Sequence, residues 1–150
     1  MRVIISTRPD GGVDITHLPV DTDAAITKAL AHYPFDRNSN AQVVDEAVIP
    51  PRDKIFRKGL RQQGANVVFD IPVCRELGRN QLRLIRTPLL DALDIEYMMA
   101  DENGDDPVEK VRIAAEKQVL RDVTADPRID AARTLEELKA VLLDVLRPER

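Results

Sequence analysis

Residues 72–122 constrain this chain more than any other stretch. Leu82, Ile85, Leu89 and Leu93 recur at steps of three and four, so in an α-helix they share one face. Leu90, Met98 and Met99 widen that stripe, and Arg75, Arg79, Arg83 and Arg86 are expected on other, hydrated faces. Pro72 suits a first helical turn, where a missing N–H costs nothing. Pro88 lies in the interior, where it removes a hydrogen bond and crowds the preceding turn, so a kink or a junction of two helices at Thr87 is expected. The acidic, turn-forming segment 101–107 follows, and a second periodic run covers 108–122. Its apolar side reads as Val108, Val111, Ala115, Val119 and Leu120. Two helices joined by a short loop fold back as an antiparallel pair. Leu82, Ile85, Leu89, Leu93, Val119 and Leu120 are therefore the candidate seam of a helical hairpin, or a partner-binding surface if that seam faces outward. If the seam is internal, Leu89→Asp is expected to cost several kcal/mol by burying a carboxylate.

Before this stretch the pattern changes to period two and to turns. Residues 1–7 are β-branched and read as a strand, 8–12 carry Pro-Asp-Gly-Gly turn chemistry, and 13–18 alternate like a return strand. Val3 and Ile5 are expected on a free edge of this hairpin, where unpaired backbone groups can recruit another strand. Asp21 or Thr22 can cap a helix over 23–33 that Pro34 ends, with Ala25, Ile26, Ala29, Leu30 and Tyr33 on its apolar face. Residues 42–49 form a strand candidate stopped by Pro50 and Pro51, and 60–71 resemble a second hairpin turning near Gln63 and Gly64. At the far end Asp126 and Pro127 should end the second helix. The Thr134–Glu137 spacing is that of a capping box, opening a last helix with Leu135, Leu138, Val141, Leu142 and Val145 inward. The expected fold is α+β. A small part built on an antiparallel β-hairpin with one helix occupies residues 1–71, and an antiparallel helical hairpin with a C-terminal amphipathic helix occupies 72–150.

Chemistry is sparse. Cys74 is the one cysteine, and His17 and His32 are the only histidines, with no His-Cys spacing of a zinc site. Asp101, Asp105 and Asp106 flank Gly104 but lack the alternating ligands and terminal Glu of a calcium loop. Gly11-Gly12 is followed by no Lys-Ser/Thr and so is not a phosphate loop. No catalytic, metal or cofactor site is expected. Aromatics make up only 3% of the chain, against 43% hydrophobic residues overall, which disfavours a base-stacking platform. A net charge of -4 disfavours nucleic acid and anionic membranes as partners. Arg2 is followed by only three apolar residues, and no apolar run nears the ~20 residues that span a bilayer, so a soluble cytoplasmic protein is expected.

Several short motifs resemble a known group. Pro51, Asp53, Phe56 and Arg57, then 67–70, then Arg75 with 83–86 and 89–94, are similar to small proteins of bacteriophage and prophage tail regions. The run 117–124, Lys-Gln-Val-Leu-Arg-Asp-Val-Thr, is similar to a helix-ending motif of the phage tail assembly chaperone and tail-fibre assembly group. The resemblance covers roughly residues 48–145. The group often carries an Asp-Trp pair where this chain has Asp94-Ile95, and an aromatic residue where it has Ala115-Glu116. The resemblance implies a non-enzymatic protein-binding role in tail or tail-fibre assembly. The implied partner is a phage tail or tail-fibre protein, with a homo-oligomer as a further possibility, and the setting is the host cytoplasm or the virion tail. The alternatives are a structural component of the tail, baseplate, fibre or neck, and a small hydrolase or nucleic-acid-binding regulator.

Overall fold

A computed structural model describes residues 1–32, 38–102, 104 and 106–146. The fold is α+β, and the chain divides into two compact units, Met1–Cys74 and Arg75–Arg150.

In the first unit, β1 (Arg2–Thr7) lies between β2 (Val13–His17) and β3 (Ser39–Asp45), antiparallel to both. Val3, Ile4, Ile5 and Ser6 are buried. Val3 and Ile5 pack with Val44 and Val67 on one face, while Ile4 packs with Leu18 and Ile26 on the other. The expected free edge at Val3 and Ile5 is thus incorrect: β1 is the central strand. Its unbroken apolar run is the mark of a strand covered on both faces, whereas the alternation in 13–17 suits an edge. Helix α1 (Asp23–His32), capped by the Thr22 hydroxyl accepting from the Ala25 amide at 3.2 Å, covers the Ile4 face through Ile26 and Ala29. Tyr33 and Pro34, the expected last turn and stop of that helix, lie outside the described residues.

On the Val3 face stands the hairpin of β4 (Leu60–Gln63) and β5 (Asn66–Phe69), turning through Gly64 at φ +60°. β3 begins earlier than its apolar residues suggest and ends at Asp45, whose carboxylate accepts from the Ala47 amide and turns the chain into a 3-10 turn over Glu46–Val48. Phe56 is buried after a turn in which Asp53 accepts from the amides of Ile55 and Phe56.

Helix α2 (Ile71–Glu102) is one helix of 32 residues, with Pro88 inside it. The expected junction at Thr87 is absent. Pro88 deprives only the Leu84 carbonyl of its partner, and Leu84, Thr87, Pro88 and Leu89 are all exposed, so water can serve that carbonyl. The Thr87 hydroxyl donates to the Arg83 carbonyl at 2.8 Å across the same turn. Helix α3 (Pro107–Asp122) starts at Asp106, whose carboxylate accepts from the amides of Val108 and Glu109. Asp126 and Pro127 do not merely end that helix. After a 3-10 turn over Val123–Ala125 they open α4 (Pro127–Ala131), a short helix that puts Ile129 into the core. Helix α5 (Leu135–Val145) carries the expected cap, with Thr134 accepting from the Glu137 amide and Glu137 accepting from the Arg133 amide.

The core of the second unit contains Leu82, Leu93, Ile113, Ile129, Leu135 and Leu138. α5 reaches α2 at Gly78, where an added Cβ would stand 2.9 Å from Leu142 Cδ1, so a larger residue there would require the Leu142 side chain to shift.

Candidate partner-binding surface

Arginines decide which face of α2 turns inward. Arg75 donates twice to the Ala132 carbonyl, at 2.6 and 3.2 Å, just past the end of α4. Arg79 donates to the Thr124 carbonyl at 3.3 Å and to Asp130 at 2.5 Å. Arg86 donates to the Arg121 carbonyl at 2.9 Å and to the Thr124 hydroxyl at 3.1 Å. Helix ends leave carbonyls without intrahelical partners and carry partial negative charge, so guanidinium groups satisfy them well. Three of the four arginines expected on wet faces therefore bind the ends of neighbouring helices. Arg83 turns back along its own helix, to Glu76 at 2.8 Å and Asn80 at 2.5 Å, and Arg79 also lies 3.7 Å from Glu76.

The contacts of α3 run antiparallel to α2. Lys110 pairs with Asp101, Lys117 pairs with Asp94, and both ammonium groups sit 5.6 Å from the centroid of the Tyr97 ring. Arg112 reaches Glu96 at 3.2 Å and also holds Glu109 and Glu116. Ile113 is the buried apolar residue between these lysines. The helix thus rests on Ile113, Leu120 and the lysine stems, which is possible because Lys can lay its methylenes along apolar surface while its charge is paired.

This corrects the expected apolar side of α3. Val108, Val111 and Ala115 are exposed rather than packed on α2, and Val119 borders a cleft beside it, with Val108 77%, Val111 70% and Val119 66% exposed. The six seam candidates divide in the same way. Leu82 and Leu93 are buried, Ile85 and Leu120 are half-buried, and Leu89 and Val119 are exposed. Ile85, Leu89, Val119 and Leu120 come together along an open cleft of about 730 Å³, which also takes in Pro127, Val145 and Leu146. Its polar rim is an ion-pair chain in which Arg128 donates to Asp126 at 2.8 Å and Asp144 at 2.6 Å. The Arg128 hydrogen bond holds the Asp126 carboxyl below its ordinary range. Met98 and Met99, expected to widen the inner stripe, are exposed instead.

A second outward stripe has no counterpart among the expected residues. Leu84, Pro88, Ala92, Ile95 and Met99 are all exposed and follow one another at steps of four, four, three and four along α2. That spacing was present in the sequence, but the inner stripe at Leu82 and Leu93 has the same period and masks it.

The chemistry-bearing residues elsewhere are tied into structure. Cys74 is fully buried, and burial pushes its thiol up to about 11. His17 lies 3.4 Å from Glu46 and 3.5 Å from Arg52. Asp101 and Asp106 serve an ion pair and a helix cap, and Asp105 lies outside the described residues. No group of three or more His, Cys, Asp or Glu is placed to hold a metal ion among the described residues. No described helix is long and apolar enough to cross a membrane.

Fold and site together define an α+β chain whose helical unit presents exposed apolar residues beside a charged-rimmed cleft. Comparisons with protein-family models, curated proteins and solved structures gave no match.

Proposed function

We propose that this protein is a non-enzymatic protein-binding module acting in the assembly of a bacteriophage tail or tail fibre. Its client is a tail or tail-fibre protein, bound in the host cytoplasm through an apolar segment laid along α3 and into the cleft. The observation that carries this reading is the row of exposed aliphatic residues Val108, Val111 and Val119, which leads to Ile85, Leu89 and Leu120 in the cleft. Contiguous exposed apolar surface is characteristic of interaction sites, whereas apolar residues scattered singly over a surface need no such explanation, and the row supports this reading. An amphipathic helix or extended segment is the natural occupant of such a groove. The similarity of residues 117–124 and 83–94 to the tail assembly chaperone group supports the choice of client.

The test is affinity capture of the tagged full-length chain from lysate of cells producing the phage, with quantitative mass spectrometry of purified particles alongside. The expected result is a tail or tail-fibre protein captured by the wild type and lost with Val111→Asp, with the module absent from particles. A stoichiometric copy number in particles would instead make it a structural tail component. Undiminished capture by Val111→Asp would remove α3 from the interface.

A further inference from the structure

The three-stranded sheet of the first unit has two edges, and they differ. β2 is five residues long and carries Asp14 midway, a short, charged edge of the kind that keeps other strands off. β3 runs for seven residues, with no proline and no cationic side chain in it. Its register irregularity lies toward Ser39, and residues 42–45 form a regular ladder with β1. The Glu46 amide donates to the Met1 carbonyl at 2.8 Å, and Val3 stands opposite Val44, so Glu46, Val44 and Gln42 turn their backbone groups toward β1. Val43 and Asp45 alternate with them and point their N–H and C=O groups away from the sheet. No strand lies on that side among the described residues, and both residues are exposed, Val43 at 38%.

The charge on this edge is unmatched as well. Arg2 stands opposite Asp45 on β1, but its guanidinium turns to Asp21 at 2.6 Å and Asp23 at 2.8 Å. The Asp45 carboxylate accepts from the Ala47 amide and has no ion-pair partner among the described residues. We propose that the outer edge of β3 binds an extended segment of a partner protein as a fourth, antiparallel strand, through the backbone of Val43 and Asp45. The backbone groups dictate an extended occupant, since a strand presents donors and acceptors in matching alternation. Val43 and Asp45 share one face, so the residues opposite them in the added strand are also two apart. Opposite charge across a ladder favours a cation beside Asp45, and Val43 suits a β-branched neighbour. The segment therefore reads Lys or Arg, any residue, then Val or Ile.

The test titrates an end-blocked peptide, Thr-Lys-Thr-Val-Thr-Gln, into the nitrogen-15-labelled full-length chain. The expected result is saturable movement of the Val43 and Asp45 amide resonances, with a dissociation constant of about 1 mM for so short a strand. N-methylation of the peptide's Lys and Val amides should abolish it, because those amides donate to β3. Glu in place of the peptide's Lys should weaken binding severalfold, and Asp45→Asn should erase that difference. Val43→Pro should remove binding while the melting temperature holds, since it deletes an outward N–H and spares the ladder to β1. The N-methylated peptide reads the same contact without altering the fold. No saturable response at these amides would overturn the proposal. So would equal binding by the N-methylated peptide, or indifference to the exchange of Lys for Glu. A response of both amides to the chain's own concentration, without peptide, would overturn it in favour of a second copy. The edge shares no residue with α3 or the cleft, so client capture through Val111 stands or falls separately.

Discussion

The two units handle their apolar residues in opposite ways. In Met1–Cys74 the strand β1 is apolar on both faces, and both are covered, by α1 on one side and by the β4–β5 hairpin on the other. In Arg75–Arg150 the helices bury one narrow row each, Leu82 and Leu93 on α2 and Ile113 on α3, and leave a second apolar row outside. The packing of the helical unit is completed by polar contacts, with arginines binding helix ends and lysines lying over Tyr97. A unit that can satisfy its own core and still expose aligned aliphatic residues has surface to give to a partner. The sheet unit has little of that kind.

Substitutions sharpen this contrast, beginning with the most severe. Ile5→Pro should abolish cooperative unfolding of the sheet unit, because it empties a fully buried site and breaks the ladder of a central strand. Circular dichroism during a thermal melt checks it, and a near-native melt would mean that β1 is not central. Ile113→Ala should cost about 2–4 kcal/mol in urea unfolding, the usual range for a large aliphatic residue emptied from a packed site. The valines beside it should not behave alike.

The next effect depends on pH. The Cys74 thiol is raised from an ordinary value near 9 to about 11 by burial. Below pH 9 both folded and unfolded chains keep the proton, and stability is unaffected. Between about 9 and 11 the unfolded chain loses its proton while the folded chain retains it, so stability falls as pH rises. The loss attributable to this group is at most about 2.7 kcal/mol, two pKa units at ~1.36 kcal/mol each. Cys74→Ala should flatten that part of the stability–pH curve, and an unchanged slope would assign it to other groups. Arg75→Gln should cost about 1–2 kcal/mol by leaving the Ala132 carbonyl short of its two donors.

The smallest effect is expected at Leu89. At 49% exposure Leu89→Asp places its carboxylate in reach of water, and the loss should stay within about 1 kcal/mol. That is far below the several kcal/mol an internal seam implies. A large loss would return Leu89 to the interior.

Much of this architecture was legible from pattern alone. The first hairpin, the turn at Gly64, the cap at Thr134 and the inward set of α5 follow from alternation, glycine and capping chemistry, which act locally. The failures were those in which distant residues choose between two readings. β1 carries the same residues whether it is an edge or a centre, and only β3, about forty residues on, decides. α3 has valines at helical spacing on one side and Ile113 with lysines on the other. Hydrophobicity favoured the valines, while pairing of Lys110 with Asp101 and Lys117 with Asp94 turned the helix the other way. Arg75, Arg79 and Arg86 misled for the same reason, since the carbonyls they bind lie 35 to 57 residues away. At the candidate site, Ile85, Leu89, Val119 and Leu120 were identified and do meet, but as walls of an open cleft.

The most direct measurement compares the unfolding free energies of Val111→Asp and Ile113→Asp, two residues apart on one helix. If α3 turns its valines to solvent, Val111→Asp should fall within about 0.5 kcal/mol of the wild type, and Ile113→Asp should lose more than about 4 kcal/mol or fail to fold. A severe loss at Val111 with tolerance at Ile113 would contradict this account, because the row offered here to a partner would then be the core of the hairpin.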